Sequence, residues 1–450
     1  MAGGGDIFFG SDDTLETMFE WAKTRIRSGP NPKHGATTPE ILSAAMGQTI
    51  VEDGLGWEKA FALFEGVIAP ATRPFDHPSS LSFVAAAPSP AASGFDAVLG
   101  AAGIFAGNWD GGAGAIHAEN AALRWLAGLA GWPLDTAGGV FVSGGTLGNL
   151  SALHAARVAY QARTEARPER YRILCSTEAH SSITAIAKVM DAQMCLVGAD
   201  ASGRIDLDAA RAQLEETPGI FAIVGNAGAT NSGAVDDLDG LADLAEQFGL
   251  WLHVDGAYGL AALADPVSAR VFAGIARADS FIVDPHKWLF APYDSCALLY
   301  RDAGRGAAAH GQSGAYLDAL DHTVWNPSDY ALHLTRRARG LPLWFSLAVY
   351  GSAAYARAIR KTHEIAQALA DGIEAMDGLE LILGPQLTVI LFKAPHMPDQ
   401  GLHDWAETHR RSGALLCLPT TWRGETVLRL CVVNPGTDPD EILAVLRTLT

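Results

Sequence analysis

Short apolar runs alternate with helix-like segments between about residue 136 and residue 300, and this alternation restricts the fold more than any other feature of the sequence. Six runs have the length and the β-branched or aromatic content of buried strands: residues 139–142, 172–175, 221–224, 251–254, 281–283 and 297–300. Strands that alternate with helices predict an α/β domain with a mainly parallel sheet, in which ligands bind at the carboxyl ends of the strands.

The segments on either side of this region have different patterns. Residues 12–75 place apolar side chains at helical spacing, and prolines then separate this segment from the rest. After about residue 340 the patterns predict a helix over 343–363, strands over 387–392 and 426–433, and a helix over 439–449. We therefore expect a helical arm (1–75), a large domain (76–340) and a small α+β domain (341–450).

The stretch 302–314, between the last predicted strand and the small domain, is rich in Gly, Ala and His. It has no period typical of a helix or a strand. Long segments of this kind are usually functional loops or disordered, so we predict a long mobile loop here.

Charge and composition exclude several classes of function. The 450 residues carry a formal net charge of -18, which argues against binding to nucleic acid or to anionic membranes. The five cysteines have no C-x-x-C spacing, so neither a disulfide framework nor a zinc site is predicted. The first residues lack a signal-peptide pattern, and no run of about 18 apolar residues occurs. We expect a cytoplasmic protein with a small-molecule partner and no metal.

Two predicted strand ends lead into candidate ligand-binding groups. After the first strand, a glycine-rich turn ends in Gly145 and Thr146 where a helix begins, and free backbone amides at a helix start form a phosphate cradle. An ordinary capped turn is the more common interpretation of such a motif alone. His180 follows the second strand and could stack on a planar ligand, although most single histidines are surface or core residues.

Two further strand ends carry an acid and an amine. Asp255, in His253-Val-Asp-Gly-Ala-Tyr258, ends an apolar strand and could pair with a protonated ring nitrogen, but a helix cap or a salt bridge is an equally open alternative. Lys287, in Asp284-Pro-His-Lys-Trp288, follows another buried strand. Burial disfavours the charged amine, so we expect an accessible neutral amine suited to a Schiff base.

A phosphate cradle, a stacking histidine, a buried carboxylate and a strand-end lysine are together what pyridoxal phosphate (PLP) requires. With these motifs the sequence resembles the group II PLP-dependent amino acid decarboxylases, which include aromatic-L-amino-acid and glutamate decarboxylases, from about Leu15 to the carboxyl terminus. The resemblance implies a fold-type I PLP-dependent transferase-like fold. It also implies a homodimer in which the arm wraps around the partner.

The resemblance assigns roles to individual residues. Lys287 would hold the cofactor, Asp255 would pair with the pyridine nitrogen, and His180 and Ala257 would sandwich the ring. The other cofactor-binding residues would be Gly145, Thr146, Thr230, Asp284 and His286. Lys287, Asp255, His180 and Tyr316, the tyrosine that protonates the substrate carbon in the family, would form the catalytic set. Asp284 departs from the asparagine often found there, and a carboxylate beside a phosphate is repulsive unless it is protonated or bonded to a donor.

The predicted substrate pocket also departs from the aromatic-acid enzymes. Its residues by resemblance are Asp76, Phe83, Ala85, Ala86, Phe105, Gly107 and Trp109, with Gly107 at a position contributed across the dimer. The changes give a wider pocket with one added negative charge, and we favour an aromatic substrate. Asp76 could instead attract a cationic side chain, lie in a solvated loop or pair with Arg73. Phe105 and Trp109 could equally be interface packing.

The expected function is therefore PLP-dependent decarboxylation of an L-amino acid, preferably an aromatic one, to its amine and carbon dioxide. Three alternatives remain open: a decarboxylase of an acidic or cationic amino acid, a PLP-dependent aldehyde synthase, and a non-catalytic member of the family. Retention of Tyr316 favours simple decarboxylation over aldehyde synthesis.

Overall fold

The computed structural model describes residues 12–164, 167–311 and 324–450. The helices in these ranges are α1 (Asp12–Ser28), α2 (Pro39–Met46), α3 (Trp57–Leu63), α4 (Pro90–Ala102), α5 (Trp109–Leu129), α6 (Gly145–Arg163), α7 (Ser181–Val189), α8 (Leu207–Glu216), α9 (Leu238–Phe248), α10 (Ala303–His310), α11 (Leu341–Tyr350), α12 (Ser352–Glu374), α13 (Asp399–Ser412) and α14 (Pro439–Leu446). The strands are β1 (Gly138–Val142), β2 (Arg172–Ser176), β3 (Gln193–Val197), β4 (Ile220–Asn226), β5 (Trp251–Asp255), β6 (Ser280–Val283), β7 (Cys296–Tyr300), β8 (Glu380–Leu383), β9 (Val389–Lys393), β10 (Leu418–Trp422) and β11 (Glu425–Cys431). Within these ranges, no helix is long and apolar enough to cross a membrane.

The larger sheet has seven strands in the order β1-β7-β6-β5-β4-β2-β3. Strand β7 is antiparallel to both of its neighbours, and the remaining pairs are parallel. All six strands predicted from the apolar runs are present, and the predicted mainly parallel α/β fold is confirmed. Strand β3 was not predicted, although residues 194–197 form an apolar run; it lies at the edge of the sheet, where Gln193 and Leu196 are exposed.

The smaller sheet is antiparallel, with the order β10-β11-β9-β8. Residues just after the arm extend it: the backbone N–H of Leu81 donates to Leu416 O at 3.0 Å, and Leu81 O accepts from Cys431 N at 2.8 Å. Leu81 is buried in the hydrophobic core beneath this sheet. Part of the segment that sequence analysis placed in the large domain therefore packs against the small sheet.

The prediction of a long loop over residues 302–314 is wrong for residues 303–310, which form α10. The Asp302 side chain accepts a hydrogen bond from Gly304 N at 2.9 Å and so caps the helix. Gly306 lies so close to the ring of Tyr300 that an added Cβ would be 2.8 Å from it. Alanine and glycine carry no apolar periodicity, so the sequence pattern could not reveal a helix that is defined by close packing. Residues 312–314 lie outside the described ranges.

The predicted single helix over 343–363 is two helices, α11 and α12, which meet at Gly351. Gly351 has a φ of 76°, a left-handed conformation that glycine adopts without steric cost. The apolar pattern continues across the junction, so periodicity alone did not reveal the break.

Candidate functional site

A cavity of about 440 Å³ opens at the carboxyl edge of the parallel strands, where β4, β5 and β6 end. All nine residues predicted to bind the cofactor line it: Gly145, Thr146, His180, Thr230, Asp255, Ala257, Asp284, His286 and Lys287. These residues follow several different strands, and they meet because parallel strands all end at the same edge of the sheet.

The phosphate-cradle prediction falls at the start of α6. Gly145 and Thr146 are its first two residues, and N–H groups in a first helical turn have no acceptor within the helix. A Cβ on Gly145 would lie 3.2 Å from Ile282 Cδ1 and 3.3 Å from Asp284 Oδ2, so the glycine keeps this corner open. The N-terminus of a long helix with an open corner suits an anion.

Asp255 ends β5 with 9% of its surface exposed. Its Oδ2 accepts a hydrogen bond from Asn149 Nδ2 at 2.8 Å, and its Oδ1 accepts one from Ala257 N at 3.1 Å. These two donors fix the orientation of the carboxylate, which suits the pairing predicted with a protonated ring nitrogen.

His180 is exposed to the cavity and is held at the start of α7. Its Nδ1 accepts from the backbone N–H of Ser182 at 3.2 Å and lies 2.9 Å from Ser182 Oγ. These contacts hold one edge of the imidazole, and its planar face remains available to a flat ligand.

Lys287 does not have the neutral amine that its sequence environment predicts. Its Nζ lies 3.0 Å from Asp284 Oδ2, and 25% of the side chain is exposed. Burial lowers the pKa of Lys287, but the negative charges of Asp284 and Asp255 outweigh burial and leave the pKa above its ordinary value. The amine is therefore charged before the cofactor binds, because Asp284 lies within ion-pair distance.

His286 and Asp284 lie next to each other on the loop after β6. His286 Nε2 is 3.7 Å from Asp284 Oδ2, and its Nδ1 is 2.6 Å from the carbonyl oxygen of Ser295. Only 2% of the Asp284 side chain is exposed. Asp284 is thus a buried carboxylate with Lys287 and His286 as its nearby basic groups, so its charge beside the phosphate cradle is at least partly balanced.

Asp76 forms a two-bond ion pair with Arg25 of α1, at 2.8 and 2.9 Å. Sequence analysis considered Arg73 as a partner, but the partner is Arg25. Asp76 does not line the cavity that contains Lys287 and instead lines neighbouring ones beside the arm.

The other predicted pocket residues lie at different depths. Phe83 lines the cavity, is 53% exposed and adopts a φ of 59°, whereas Ala85 and Ala86 are buried behind it. Gly107 lies against Phe105 and Leu334 O, and Trp109 packs in a separate core cluster beside α5. Within one chain, only Phe83 of this group lines the cavity, so Phe105, Gly107 and Trp109 could reach a site only from a second copy.

Tyr293 and Asn226 are among the cavity-lining residues to which the sequence interpretation assigned no role. Tyr293 lies beside His286, with ring centroids 5.0 Å apart. Asn226, the last residue of β4, donates to Asp236 through both its backbone N and its Nδ2, at 2.7 and 3.1 Å. The position of Asn226 at a strand end was the signal that could have identified it, whereas nothing in the local pattern identified Tyr293.

A buried arginine, Arg429 of β11, joins two parts of the cavity wall. Its guanidinium donates to the carbonyl oxygens of Phe83 and Thr230, each at 2.7 Å, and it is 7% exposed. No role could be assigned to Arg429 from the sequence, because its partners are backbone atoms from distant segments.

Tyr316, which was predicted to be catalytic, lies outside the described residues.

These residues fit pyridoxal phosphate. The donor set combines an anion site at a helix N-terminus, a carboxylate for the ring nitrogen, a planar side chain and an amine. All of these groups line the same cavity. At Gly145, a residue with a Cβ would crowd Ile282 and Asp284, so the cradle requires glycine there. Among the described residues there is no group of three or more His, Cys, Asp or Glu that could hold a metal ion.

Comparisons with known proteins agree with this fit. Residues 39–395 match the model of the pyridoxal-dependent decarboxylase conserved domain. Aromatic-L-amino-acid decarboxylase from Bacillus atrophaeus is 32% identical over 91% of this chain and 88% of its own length. L-2,4-diaminobutyrate decarboxylase from Rhizobium meliloti (strain 1021) is 29% identical over 83% of this chain and 77% of its own.

Among solved structures, Oryza sativa TDC with PLP and tryptamine superimposes with a TM-score of 0.90. The match covers 100% of this chain and 97% of that one at 21% identity, which supports the fold alone. The family model and the Bacillus relative carry the assignment. The chain belongs to the pyridoxal-dependent decarboxylase family and is a PLP-dependent amino acid decarboxylase.

Proposed function

We propose that the protein decarboxylates an aromatic L-amino acid to the corresponding amine. The observation that carries this proposal is the aromatic wall of the cavity, where Phe83 and Tyr293 both line the space that contains Lys287. Phe83 also packs edge-on against Phe75, with ring centroids 5.7 Å apart. Aromatic side chains in a wall favour an aromatic ligand through burial of apolar area and through ring packing.

The charges around the cavity support the same choice. A cationic substrate would need a free carboxylate, but Asp76 is paired with Arg25, and Asp294 of the cavity wall lies 3.0 Å from Arg339. An acidic substrate would need a free cation. The described residues that line the cavity include no arginine, and Lys287 is their only lysine.

Each residue of the cofactor site has a proposed role. Bound PLP supplies an electron sink for the electrons released when the α-carboxylate leaves as carbon dioxide. Lys287 would bind the cofactor through Nζ, and Asp255 would hold a proton on the ring nitrogen. His180 and Ala257 would pack on the two faces of the ring.

The remaining proposed roles concern the phosphate and the final proton. Backbone amides of Gly145 and Thr146 would bind the phosphate, with His286 and Thr230 nearby. Tyr316 would donate the proton that completes the amine, a role that rests on its position in the sequence.

We also propose that the active form is a homodimer. Apolar side chains of the arm are uncovered in a single chain: Leu15 is 43% exposed, Phe19 57% and Ile41 58%. Exposed apolar stripes on amphipathic helices normally require a partner surface. A second copy would also explain why Phe105 and Gly107 lie away from the cavity of their own chain.

The test is the substrate profile of the purified protein with PLP. Carbon dioxide release is measured with L-tryptophan, L-tyrosine, L-phenylalanine, L-2,4-diaminobutyrate, L-glutamate and L-cysteine sulfinate, and amine, aldehyde and peroxide are quantified for each active substrate. We expect an aromatic amino acid to give the highest kcat/KM, with amine as the main product. A preference for diaminobutyrate or an acidic amino acid would refute the proposed substrate, and predominance of aldehyde would refute the proposed role of Tyr316.

A matched pair of variants tests the aromatic wall. Phe83→Ala removes the ring that faces the cavity, and we expect kcat/KM for the aromatic substrate to fall by about 10- to 100-fold, as for loss of a buried aromatic contact. Asp76→Asn is the control, because it breaks the Arg25 ion pair without removing apolar area. It should leave the ranking of substrates unchanged.

A further inference from the structure

Four buried side chains form a continuous line of hydrogen bonds that ends at Asp255. Asn149 donates from Nδ2 to Asp255 Oδ2, and its Oδ1 lies 2.8 Å from His253 Nε2. His253 Nδ1 lies 2.8 Å from Ser280 Oγ, which also accepts from Trp251 Nε1 at 2.8 Å. Asn149, His253, Ser280 and Trp251 are each no more than 2% exposed.

The positions of these residues on β5, β6 and α6 explain why the line of hydrogen bonds forms. Trp251, His253 and Asp255 alternate along β5, so all three side chains lie on one face of the sheet. Ser280 begins the neighbouring strand β6, where it pairs in register with His253. Asn149 comes from the second turn of α6, which packs on the same face. Each contact therefore joins rigid elements rather than loops.

Only one arrangement of protons satisfies every contact and also gives the Ser280 hydroxyl hydrogen an acceptor. An indole nitrogen is only a donor, so Ser280 Oγ accepts from Trp251 and its own hydrogen is directed to His253 Nδ1. The Asn149 nitrogen must face the Asp255 carboxylate, because the amide oxygen there would be repelled. The Asn149 oxygen then faces His253 and accepts from Nε2–H.

The required form of His253 is the neutral Nε2–H tautomer. Burial lowers its pKa to about 4, so this form prevails at neutral pH. A charged imidazolium would donate from Nδ1 as well, and the hydrogen of the Ser280 hydroxyl would then have no acceptor in the line. The neutral tautomer completes the line without an unpaired group.

We propose that His253 is a positioning residue that, through Asn149, holds the Asp255 carboxylate aimed at the ring nitrogen of PLP. The amide of Asn149 can rotate about its side-chain torsions, and the His253 donor keeps its nitrogen directed to the carboxylate. Side chains that orient a ligating group in this way usually change affinity or activity by about 10- to 100-fold when removed. The proposal depends on the cofactor and not on which amino acid is the substrate.

A matched pair of substitutions tests the N–H group that His253 donates to Asn149. The amide nitrogen of glutamine lies near the position of histidine Nε2, whereas asparagine lacks that reach, so His253→Gln keeps the donor to Asn149 and His253→Asn loses it. Two quantities are measured: the PLP dissociation constant, and the pH dependence of the ring-nitrogen chemical shift with ¹⁵N-labelled PLP. We expect His253→Asn to weaken PLP binding by about 10- to 100-fold and to release the ring proton at lower pH. His253→Gln should remain within about threefold of the wild type, well below the loss expected for His253→Asn.

A double-mutant cycle with Asp255→Asn shows whether His253 acts through the carboxylate. We expect His253→Asn to cause no further loss of PLP affinity in the Asp255→Asn background. His154→Gln is the control, because the His154 ring lies on the same helix but contacts Ala309 O rather than the line that ends at Asp255. It should change neither quantity.

Two results would overturn the proposal. One is a His253→Asn variant with lowered thermal stability but wild-type PLP affinity and ring-nitrogen protonation, which would make the line purely structural. The other is an equal loss in the Asp255→Asn background. If His253→Asn does not fold, Asn149→Ala decides, because it removes the amide through which His253 would act on Asp255. A ring-nitrogen pH profile identical to that of the wild type would then refute the proposal.

Discussion

Replacing Asp284 with asparagine is expected to make the PLP-free protein bind the cofactor faster and at lower pH. The carboxylate is 2% exposed and lies 3.0 Å from Lys287 Nζ. It holds the lysine as an ammonium ion, but only the neutral amine can attack the aldehyde of PLP. Asparagine keeps the size of the side chain and removes the charge.

The distance sets the size of the effect. At 3.0 Å and an effective dielectric constant of about 20, the attraction between the two charges is about 5 kcal/mol. Because 25% of the Lys287 side chain is exposed, water screens the pair and reduces the attraction by about half, to about 2–3 kcal/mol. Each ~1.4 kcal/mol changes a protonation equilibrium tenfold, so the neutral fraction should rise by about 30- to 100-fold at a fixed pH below the pKa.

The direction follows from the ion pair. Because Asp284 raises the pKa of Lys287, its removal lowers that pKa, and burial is then opposed mainly by the charge of Asp255. The rate of PLP binding to the variant should therefore reach its plateau at lower pH than in the wild type. Loss of a carboxylate near the phosphate cradle should also tighten PLP binding at equilibrium.

Stopped-flow absorbance measures PLP binding to the cofactor-free protein between pH 6 and pH 9. Asp294→Asn is the matched control, because it removes an equal charge from the cavity wall where Asp294 pairs with Arg339. Its profile should match the wild type. An Asp284→Asn profile that is unchanged, or displaced to higher pH, would show that Asp284 does not control the charge of Lys287.

Three further predictions concern the cradle, a buried acid and a buried ion pair. Gly145→Ala should weaken PLP binding by at least about tenfold with little change in melting temperature, since its Cβ would press on Asp284 and Ile282 beside the proposed anion site. A mainly thermal effect would contradict this. Burial raises the pKa of Asp236 from 3.8 to about 6, so its contribution to stability is greatest below pH 3.8 and is lost as pH rises through about 6. Asp236→Asn should flatten the melting-temperature profile between these values, and an unchanged slope would contradict it. Arg336→Ala leaves Glu119 buried without its partner and should lower the free energy of unfolding by about 3–5 kcal/mol, measured by denaturant titration. The control is Arg337→Ala, which removes a more exposed ion pair with Asp96 and should cost about 0–1 kcal/mol.

The sequence predicted the sheet and most of the cofactor site because both depend on local pattern. Buried parallel strands are short apolar runs, and groups at their ends meet at one edge of the sheet. Asp255 and Lys287 follow such runs directly, so their place in the cavity could be inferred without coordinates. The helix α10, rich in alanine and glycine, lacks an apolar period of its own, and only the structure revealed it.

Charge states and partners between distant segments were decided by the tertiary structure. The sequence indicated a buried lysine, but whether its amine is neutral depends on where Asp284 lies, and that distance is 3.0 Å. Asp76 had several possible partners in the sequence, and packing of the arm placed Arg25 beside it. His253 was visible only as part of a strand, and its link to Asp255 exists because α6 brings Asn149 between them. Periodicity reports which side chains are buried, whereas electrostatics and hydrogen bonds depend on distances of a few ångströms that only the packed chain defines.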